Sequence, residues 1–319
     1  MANPLIIDVH MHVFESKEQG RWAKSSYEGV EFDAADSPPP YSDYDGDVED
    51  ALAAIAEAGA SKAVMVHFYL PLIGMQNEAD GDTGGPTAEE RTKAIAGVRD
   101  EMAAGLKRSN VEACASVKEH PELLPFVSID PWVLGPDEAR DHLMDLVQNH
   151  GARGIKLHSV SQRFLMGDKR MWPVYDACVE LDIAIAAHTG RALGESQYSE
   201  PRAFADVYRA FPRLKLIMAH LGNGSWRQTK ELADAFPNAI FDTSEITEWY
   251  GAPLAPTREE LGRLIKDVGP ERVMLGTDFP WWTPAHCAEE VLALPVLSAE
   301  EKEGILGANA VRILGIDPD

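Results

Sequence analysis

The chain has 319 residues, of which 45% are hydrophobic and 25% are charged, a balance typical of a folded globular protein. Its formal net charge of −23 argues against binding to nucleic acid or to an anionic membrane, because phosphate groups are bound mainly by Lys and Arg. The cysteines form no Cys-x-x-Cys pair, and neither a signal peptide nor an apolar run of about 20 residues is visible. We therefore expect a cytoplasmic protein without nucleic-acid or membrane partners.

Apolar, β-branched runs alternate along the chain with amphipathic stretches. The apolar runs lie at 5–12, 63–69, 123–129, 152–158, 183–188, 214–220, 239–243 and 273–278. The amphipathic stretches lie at 47–59, 87–119, 137–150, 171–182, 201–211, 226–236 and 257–268, with further helix signals from about 284 to 314. No Gly-rich phosphate turn follows the first strand, which favours a closed barrel over an open doubly wound sheet. The pattern predicts an α/β fold, a (β/α)8 TIM barrel formed by residues 1–319 as one domain.

Two connections in this pattern are unusually long. Residues 13–46 follow the first strand, and residues 70–86 follow the second. Both leave the C-terminal ends of strands, which is the face where barrel active sites are built. Loops of this length are usually functional or disordered. We expect both to be active-site loops that wall or cover the pocket, and simple surface decoration remains the alternative.

Histidines and one aspartate stand at the ends of the predicted strands. His10 and His12 are two residues apart on the first strand, so both side chains point to the same face. His188, His220 and Asp278 end later strands. A buried imidazole is costly unless its nitrogens have partners, and several of them with a carboxylate at one end of a barrel have a common explanation. The pattern predicts that they converge on a divalent metal ion.

Six segments carry a resemblance to a known family. They are Ile7-Asp8-Val9-His10-Met11-His12, Gly154-Ile155-Lys156-Leu157-His158, Ala187-His188-Thr189-Gly190, Met218-Ala219-His220-Leu221-Gly222, Leu275-Gly276-Thr277-Asp278-Phe279-Pro280 and the stretch from Ile305 to Gly315. In this order, from the first strand to the last helix, they resemble the amidohydrolase superfamily. The similarity is to its amidohydrolase-2 branch, which is related to α-amino-β-carboxymuconate-ε-semialdehyde decarboxylase.

The resemblance implies a ligand set. His10, His12, His188 and Asp278 would hold one divalent ion, most often zinc in this group, with manganese as the other option. His220 would sit just outside the ligands and act on bound water or substrate. Such a set leaves a position open for water, whose pKa zinc lowers to about 7. Asp278 could accept the water's proton, so we expect Asp278 and His220 to be catalytic.

Lys156 and His158 of the fourth strand share parity, so both face the pocket if either does. In binuclear relatives a lysine at a comparable place is carboxylated and bridges two metals, whereas this branch commonly uses one metal without a bridge. We expect Lys156 to be a structural group or a partner of a substrate carboxylate. We expect His158 to line the pocket, with a satisfied buried histidine as the alternative.

Three further residues are candidates for substrate binding. His67 ends the second strand, and a hydrogen bond to a nearby loop explains it equally well. Arg191 could grip a carboxylate by bidentate hydrogen bonds, or form a surface ion pair instead. Trp281 could stack on a planar substrate at the barrel mouth, or fill the rim as a large apolar residue.

Two reactions fit the predicted site. We expect a metal-dependent hydrolase of a small molecule that contains an ester, lactone, amide or labile C–C bond. The alternative is a non-oxidative decarboxylase of an unsaturated or aromatic carboxylic acid, possible on the same metal site. Related benzoate-type decarboxylases often carry Glu-x-His on the first strand, where this chain has His10-x-His12, which disfavours the benzoate type and leaves the semialdehyde-decarboxylase type open. The substrate is a small molecule in either case, and a homodimer is compatible with the resemblance because relatives often form one.

Overall fold

The computed structural model describes residues 4–26, 40–69, 98–190 and 196–318. Within them one parallel sheet has the order β1 to β8, each strand pairing with the next in sequence. The strands are β1 Ile7–Met11, β2 Lys62–Val66, β3 Leu123–Ser128, β4 Gly154–Leu157, β5 Ala184–Ala187, β6 Lys215–Met218, β7 Ile240–Asp242 and β8 Val273–Met274. The predicted α/β class and (β/α)8 TIM barrel are confirmed.

The residues that follow β8 close the barrel, because β8 itself has only 2 residues. The backbone N–H of Val9 donates a hydrogen bond to the Leu275 carbonyl, with a distance of 2.8 Å. One step further along, the N–H of Asp278 donates to the His10 carbonyl over 2.9 Å. The chain after β8 therefore runs beside β1, and this contact joins the two ends of the sheet.

Helices fill the connections between the strands. They span Lys17–Ser26, Val48–Ala58, Arg99–Ser116, Pro136–Asp145, Ser159–Gln162, Trp172–Glu180, Ala205–Ala210, Thr229–Ala235, Arg258–Val268, Pro284–Ala293, Ala299–Glu303 and Asn309–Leu314. Their ends follow local capping chemistry: Thr257 forms a capping box with Glu260, and Asp47 accepts a hydrogen bond from the Asp50 N–H. No helix in the described part of the chain is both long enough and apolar enough to cross a membrane.

Of the two long loops, only part of the first is described. Residues 70–86 lie outside the described residues, as do residues 27–39 of the first loop. The remainder of the first loop turns back to the barrel rim. The backbone N–H of Ser42 donates a hydrogen bond to the Trp281 carbonyl, and its hydroxyl donates one to the Pro280 carbonyl; both distances are 2.7 Å. The end of this loop is thus fixed to the turn that follows β8.

Gly154 in β4 has no room for a larger side chain. An added Cβ would lie 2.5 Å from the Phe126 ring and 2.7 Å from the Ala184 carbonyl oxygen. That carbonyl belongs to the neighbouring strand, so it cannot move without disturbing the pairing of β4 with β5. We predict that Gly154→Ala lowers the free energy of unfolding by about 1–3 kcal/mol, measured by urea denaturation.

Gly304→Ala is the matched control. Gly304 has a right-handed helical backbone, and its added Cβ would meet nothing nearer than Asn309 Oδ1 at 3.4 Å. This variant should change the free energy of unfolding by less than about 1 kcal/mol. Equal losses in the two variants would contradict the packing described for β4.

Candidate active site

β1 and the segment after β8 bring together two imidazoles and a carboxylate. His12 Nε2 lies 3.0 Å from Asp278 Oδ1, and His10 Nε2 lies 3.4 Å from the same oxygen. All three side chains are buried, and they form a group whose possible ligand atoms lie within 4.8 Å of one another. The two-residue spacing of His10 and His12 places both rings on the face that meets Asp278. The barrel closure thus assembles a cluster suited to a cation.

The protonation states of this cluster follow from its burial. Burial lowers the pKa of His12 to about 3, so this ring is neutral near pH 7. Burial alone would raise the pKa of Asp278, yet its hydrogen bond with His12 and the neighbouring imidazoles lower that pKa below its ordinary value. Among the described residues, His12 Nδ1 is a buried nitrogen without a hydrogen-bond partner. Neutral imidazoles and an ionised carboxylate are the forms that bind a divalent metal, so these residues fit one.

His188 and His220, which follow β5 and β6, form a pair beside this cluster. His188 Nδ1 lies 3.1 Å from His220 Nε2, and His220 Nδ1 lies 3.1 Å from the Ser244 carbonyl oxygen. A carbonyl can only accept, so His220 carries its hydrogen on Nδ1 and accepts from His188 on Nε2. Burial lowers the pKa of both rings to about 3.

Of this pair, His220 lies closer than His188 to the cluster of His10, His12 and Asp278. The rings of His10 and His220 have centroids 5.1 Å apart. His220 also belongs to two groups of possible ligands, one with Asp242 and one with Asp278. Across the described ranges, His188 belongs to none of the groups whose ligand atoms all lie within 4.8 Å. The structure therefore brings His188 next to His220 and leaves it at the edge of the cluster.

Lys156 reaches the centre of the site from β4. Its Nζ lies 2.7 Å from His10 Nε2 and 5.3 Å from the centroid of the Phe68 ring, and the side chain is almost fully buried. Burial lowers the pKa of Lys156 to about 8. The lysine amine thus contacts a candidate ligand atom directly. His158, which directly follows β4, stacks on His188 with ring centroids 4.2 Å apart. Its Nδ1 accepts a hydrogen bond from the Ser161 N–H.

The other predicted binding residues are distributed around the cluster. His67 Nε2 lies 2.9 Å from Ser109 Oγ, and burial lowers the pKa of His67 to about 4. His67 and His12 both line a cavity of about 230 Å³. Trp281 packs edge-on against His12 with ring centroids 5.6 Å apart. Arg191 lies outside the described residues.

Three residues that sequence reasoning missed contact the cluster. Asp242 Oδ2 lies 3.0 Å from His10 Nδ1, and Ser244 Oγ lies 3.1 Å from the same nitrogen. Phe68 stacks on His12 with centroids 4.7 Å apart. A signal for the first two was present, since Asp242 and Ser244 stand at the end of the predicted seventh strand as the histidines stand at other strand ends.

Comparison with known proteins identifies the family. A family model described as amidohydrolase matches residues 77–316. A curated relative, the 2-amino-3-carboxymuconate-6-semialdehyde decarboxylase of Dictyostelium discoideum, is 26% identical over 201 residues, which cover 53% of this chain and 55% of the relative. The chain therefore spans about half the length of this relative.

Solved structures share the fold. An uncharacterised TIM-barrel protein from Bordetella bronchiseptica is 19% identical, with 97% of this chain and 98% of that one covered at a TM-score of 0.68. A 5-carboxyvanillate decarboxylase from Sphingomonas paucimobilis is 17% identical, with 99% and 100% covered at a TM-score of 0.61. A 2,6-dihydroxybenzoate decarboxylase from Rhizobium is 16% identical, with 99% of each chain covered at a TM-score of 0.66.

These comparisons correct one expectation and confirm another. The expected hydrolase activity is wrong, because the curated relative and several of the similar structures are named decarboxylases. The ligand pattern that suggested hydrolysis is common to both reactions, so it could not separate them. The predicted family is confirmed, since the family model covers most of the sequence. The chain is an enzyme that belongs to the amidohydrolase family.

Proposed function

We propose that the chain is a metal-dependent decarboxylase of an unsaturated or aromatic carboxylic acid. The observation that carries the proposal is the buried cluster of His10, His12 and Asp278, with His220 beside it. The curated relative named as a decarboxylase of a carboxymuconate semialdehyde supports the reaction class. Solved decarboxylases with the same barrel add support from the fold alone.

The proposed metal ligands are His10, His12, His188 and Asp278. The neutral rings of His12 and His188 and the ionised carboxylate of Asp278 favour this assignment, and three nitrogens with one carboxylate suit zinc. Manganese is the second candidate, because similar structures of a 5-carboxyvanillate decarboxylase and a dihydroxybenzoic acid decarboxylase are described with bound manganese. A divalent ion held there would polarise substrate oxygens and stabilise negative charge that develops during the reaction.

Proton transfer is assigned to His220. Loss of CO2 leaves a carbon that must gain a proton in place of the carboxylate. Because its Nδ1 hydrogen faces the Ser244 carbonyl, neutral His220 has its lone pair on Nε2, the atom that accepts the hydrogen bond from His188 and would exchange that bond for an incoming proton. We propose that Nε2 takes up a proton from water or from the substrate acid and delivers it to that carbon. Asp278 keeps its proposed second role as a proton acceptor at the ligand cluster.

The substrate pocket is proposed to lie over this cluster. Lys156 and His158 approach it from β4, while Trp281 and His67 approach from the rim. In its protonated form, the amine of Lys156 can attract a carboxylate of the substrate. The ring of Trp281 offers a planar apolar surface against which a substrate ring can stack. We propose Arg191 as a further carboxylate contact. The loops 13–46 and 70–86 are proposed as the walls of this pocket in a barrel that is a single domain.

Metal analysis together with a substrate panel tests the proposed function. We predict about one equivalent of zinc or manganese per chain, measured by plasma mass spectrometry. The panel holds conjugated and aromatic carboxylates, among them carboxymuconate semialdehyde, 5-carboxyvanillate and dihydroxybenzoates, assayed for CO2 release. Release should stop after chelation and return with the metal. Two equivalents would instead favour a bridging Lys156, and turnover only of esters or lactones would contradict the proposal.

Asp278→Asn tests the role of the carboxylate. The change preserves the size of the side chain and removes the charge that a divalent ion requires. We predict that metal affinity, measured by competition with a chromophoric chelator, falls at least about 100-fold, and that CO2 release falls with it.

Glu248→Gln is the control for that variant. Glu248 is also a buried carboxylate paired with a histidine, His286, at 2.7 Å, but it lies outside the ligand cluster. This variant should bind metal as tightly as the parent protein. Equal metal affinity in Asp278→Asn and the parent would remove Asp278 from the ligand set.

A further inference from the structure

The end of β7 holds a carboxylate that contacts two parts of the site at once. Asp242 is fully buried. Its Oδ2 lies 3.0 Å from His10 Nδ1. Its Oδ1 accepts hydrogen bonds from the backbone N–H groups of His220, at 2.9 Å, and of Ser244, at 3.1 Å. One carboxylate therefore binds a ring carried by β1 and the backbone that follows β6.

The first contact decides which nitrogen of His10 has the lone pair. An ionised carboxylate can only accept, so the nitrogen that faces Asp242 carries the hydrogen. In the neutral ring this leaves the lone pair on Nε2, the atom directed at Asp278 and Lys156. Metal-binding histidines commonly owe their tautomer to a carboxylate of this kind.

The second contact supports a strained turn. His220 has φ of +63° and Leu221 has φ of +47°, backbone values that residues other than glycine rarely adopt. Residues in this region persist where surrounding contacts hold them. The hydrogen bond from the His220 N–H to Asp242 is one of those contacts. The position of the His220 ring thus depends on Asp242 as well.

Ser244 connects the same two rings through its side chain. Its hydroxyl donates to Asp242 Oδ1, and its oxygen lies 3.1 Å from His10 Nδ1 and 2.9 Å from His220 Nδ1. The packing leaves little freedom for this arrangement. A Cβ added at Gly276 would lie 3.0 Å from His10 Cβ and 3.1 Å from both Asp242 Cγ and Ser244 Cβ.

We propose that Asp242 and Ser244 are positioning residues that fix the tautomer of His10 and the orientation of His220 together. They contact neither substrate nor metal in this account and act through the two histidines. The inference rests on the proposed function for what the histidines do, whereas the contacts that carry it concern only the geometry of the rings. A change at Asp242 should therefore alter a metal ligand and a proton carrier in one step.

The test compares Asp242→Asn, Ser244→Ala and Ser244→Thr in the full-length chain. We expect Asp242→Asn to weaken zinc or manganese binding by about 10–100-fold in a chelator competition, and Ser244→Ala to weaken it by a smaller factor. Ser244→Thr retains the hydroxyl and should restore most of the affinity. In the metal-free protein, long-range 1H–15N spectra of the imidazoles should show hydrogen on Nδ1 of His10 in the parent. A measurable share should move to Nε2 in Asp242→Asn.

Thr243→Val is the matched control on the same strand. Thr243 is equally buried, but among the described residues its hydroxyl forms hydrogen bonds with the Gly276 backbone alone, at 3.3 Å. This variant should lose some stability and keep the parent's metal affinity and imidazole spectra. If Asp242→Asn does not fold, the comparison of Ser244→Ala with Ser244→Thr decides the question through the same two measurements.

The inference and the proposed function fail in different ways. Unchanged metal affinity and unchanged imidazole spectra in Asp242→Asn and Ser244→Ala would overturn the inference, even if the parent releases CO2. Altered affinity and spectra with no acid decarboxylated by the parent would support the inference and count against the proposed reaction. A fall in kcat with little change in KM in Ser244→Ala would further support a role through His220.

Discussion

The site depends on the way the barrel closes. β8 is too short to complete the sheet alone, and the residues after it pair with β1. The hydrogen bond from the Asp278 N–H to the His10 carbonyl fixes the two chain segments side by side. The same contact that joins the ends of the sheet thus places a carboxylate against two imidazoles. The contact between β1 and the segment after β8 thus both closes the barrel and brings His10, His12 and Asp278 together, without a flexible loop.

Burial then sets the charge of the cluster. Burial keeps the rings of His12, His188 and His220 uncharged, while the carboxylate of Asp278 stays ionised chiefly because of its hydrogen bond with His12. The result is a negative oxygen among neutral nitrogen lone pairs at the centre of an acidic protein. The amine of Lys156 already lies against this group. Such an environment attracts a compact cation, and a divalent metal is the cation whose chemistry matches the proposed decarboxylation.

Much of the fold could be predicted from the sequence because the strand and helix periods alternate without interruption. Strand parity placed His10 and His12 on one face, and the strand-end rule brought Asp278 to them. The partnership of Asp242 with His10 was missed, because a position at a strand end does not show which polar side chains there will contact each other. The reaction was also out of reach: a ligand set defines a metal site, whereas the pocket over it selects hydrolysis or decarboxylation.

X-ray absorption spectroscopy of the metal-loaded protein tests the central claim most directly. The account predicts a first shell of nitrogen and oxygen atoms together with the outer-shell scattering that imidazole rings produce. In Asp278→Asn the height of the absorption edge should fall in proportion to the metal lost. A spectrum with no imidazole scattering, or with sulfur in the first shell, would contradict the claim that His10, His12 and Asp278 bind the ion.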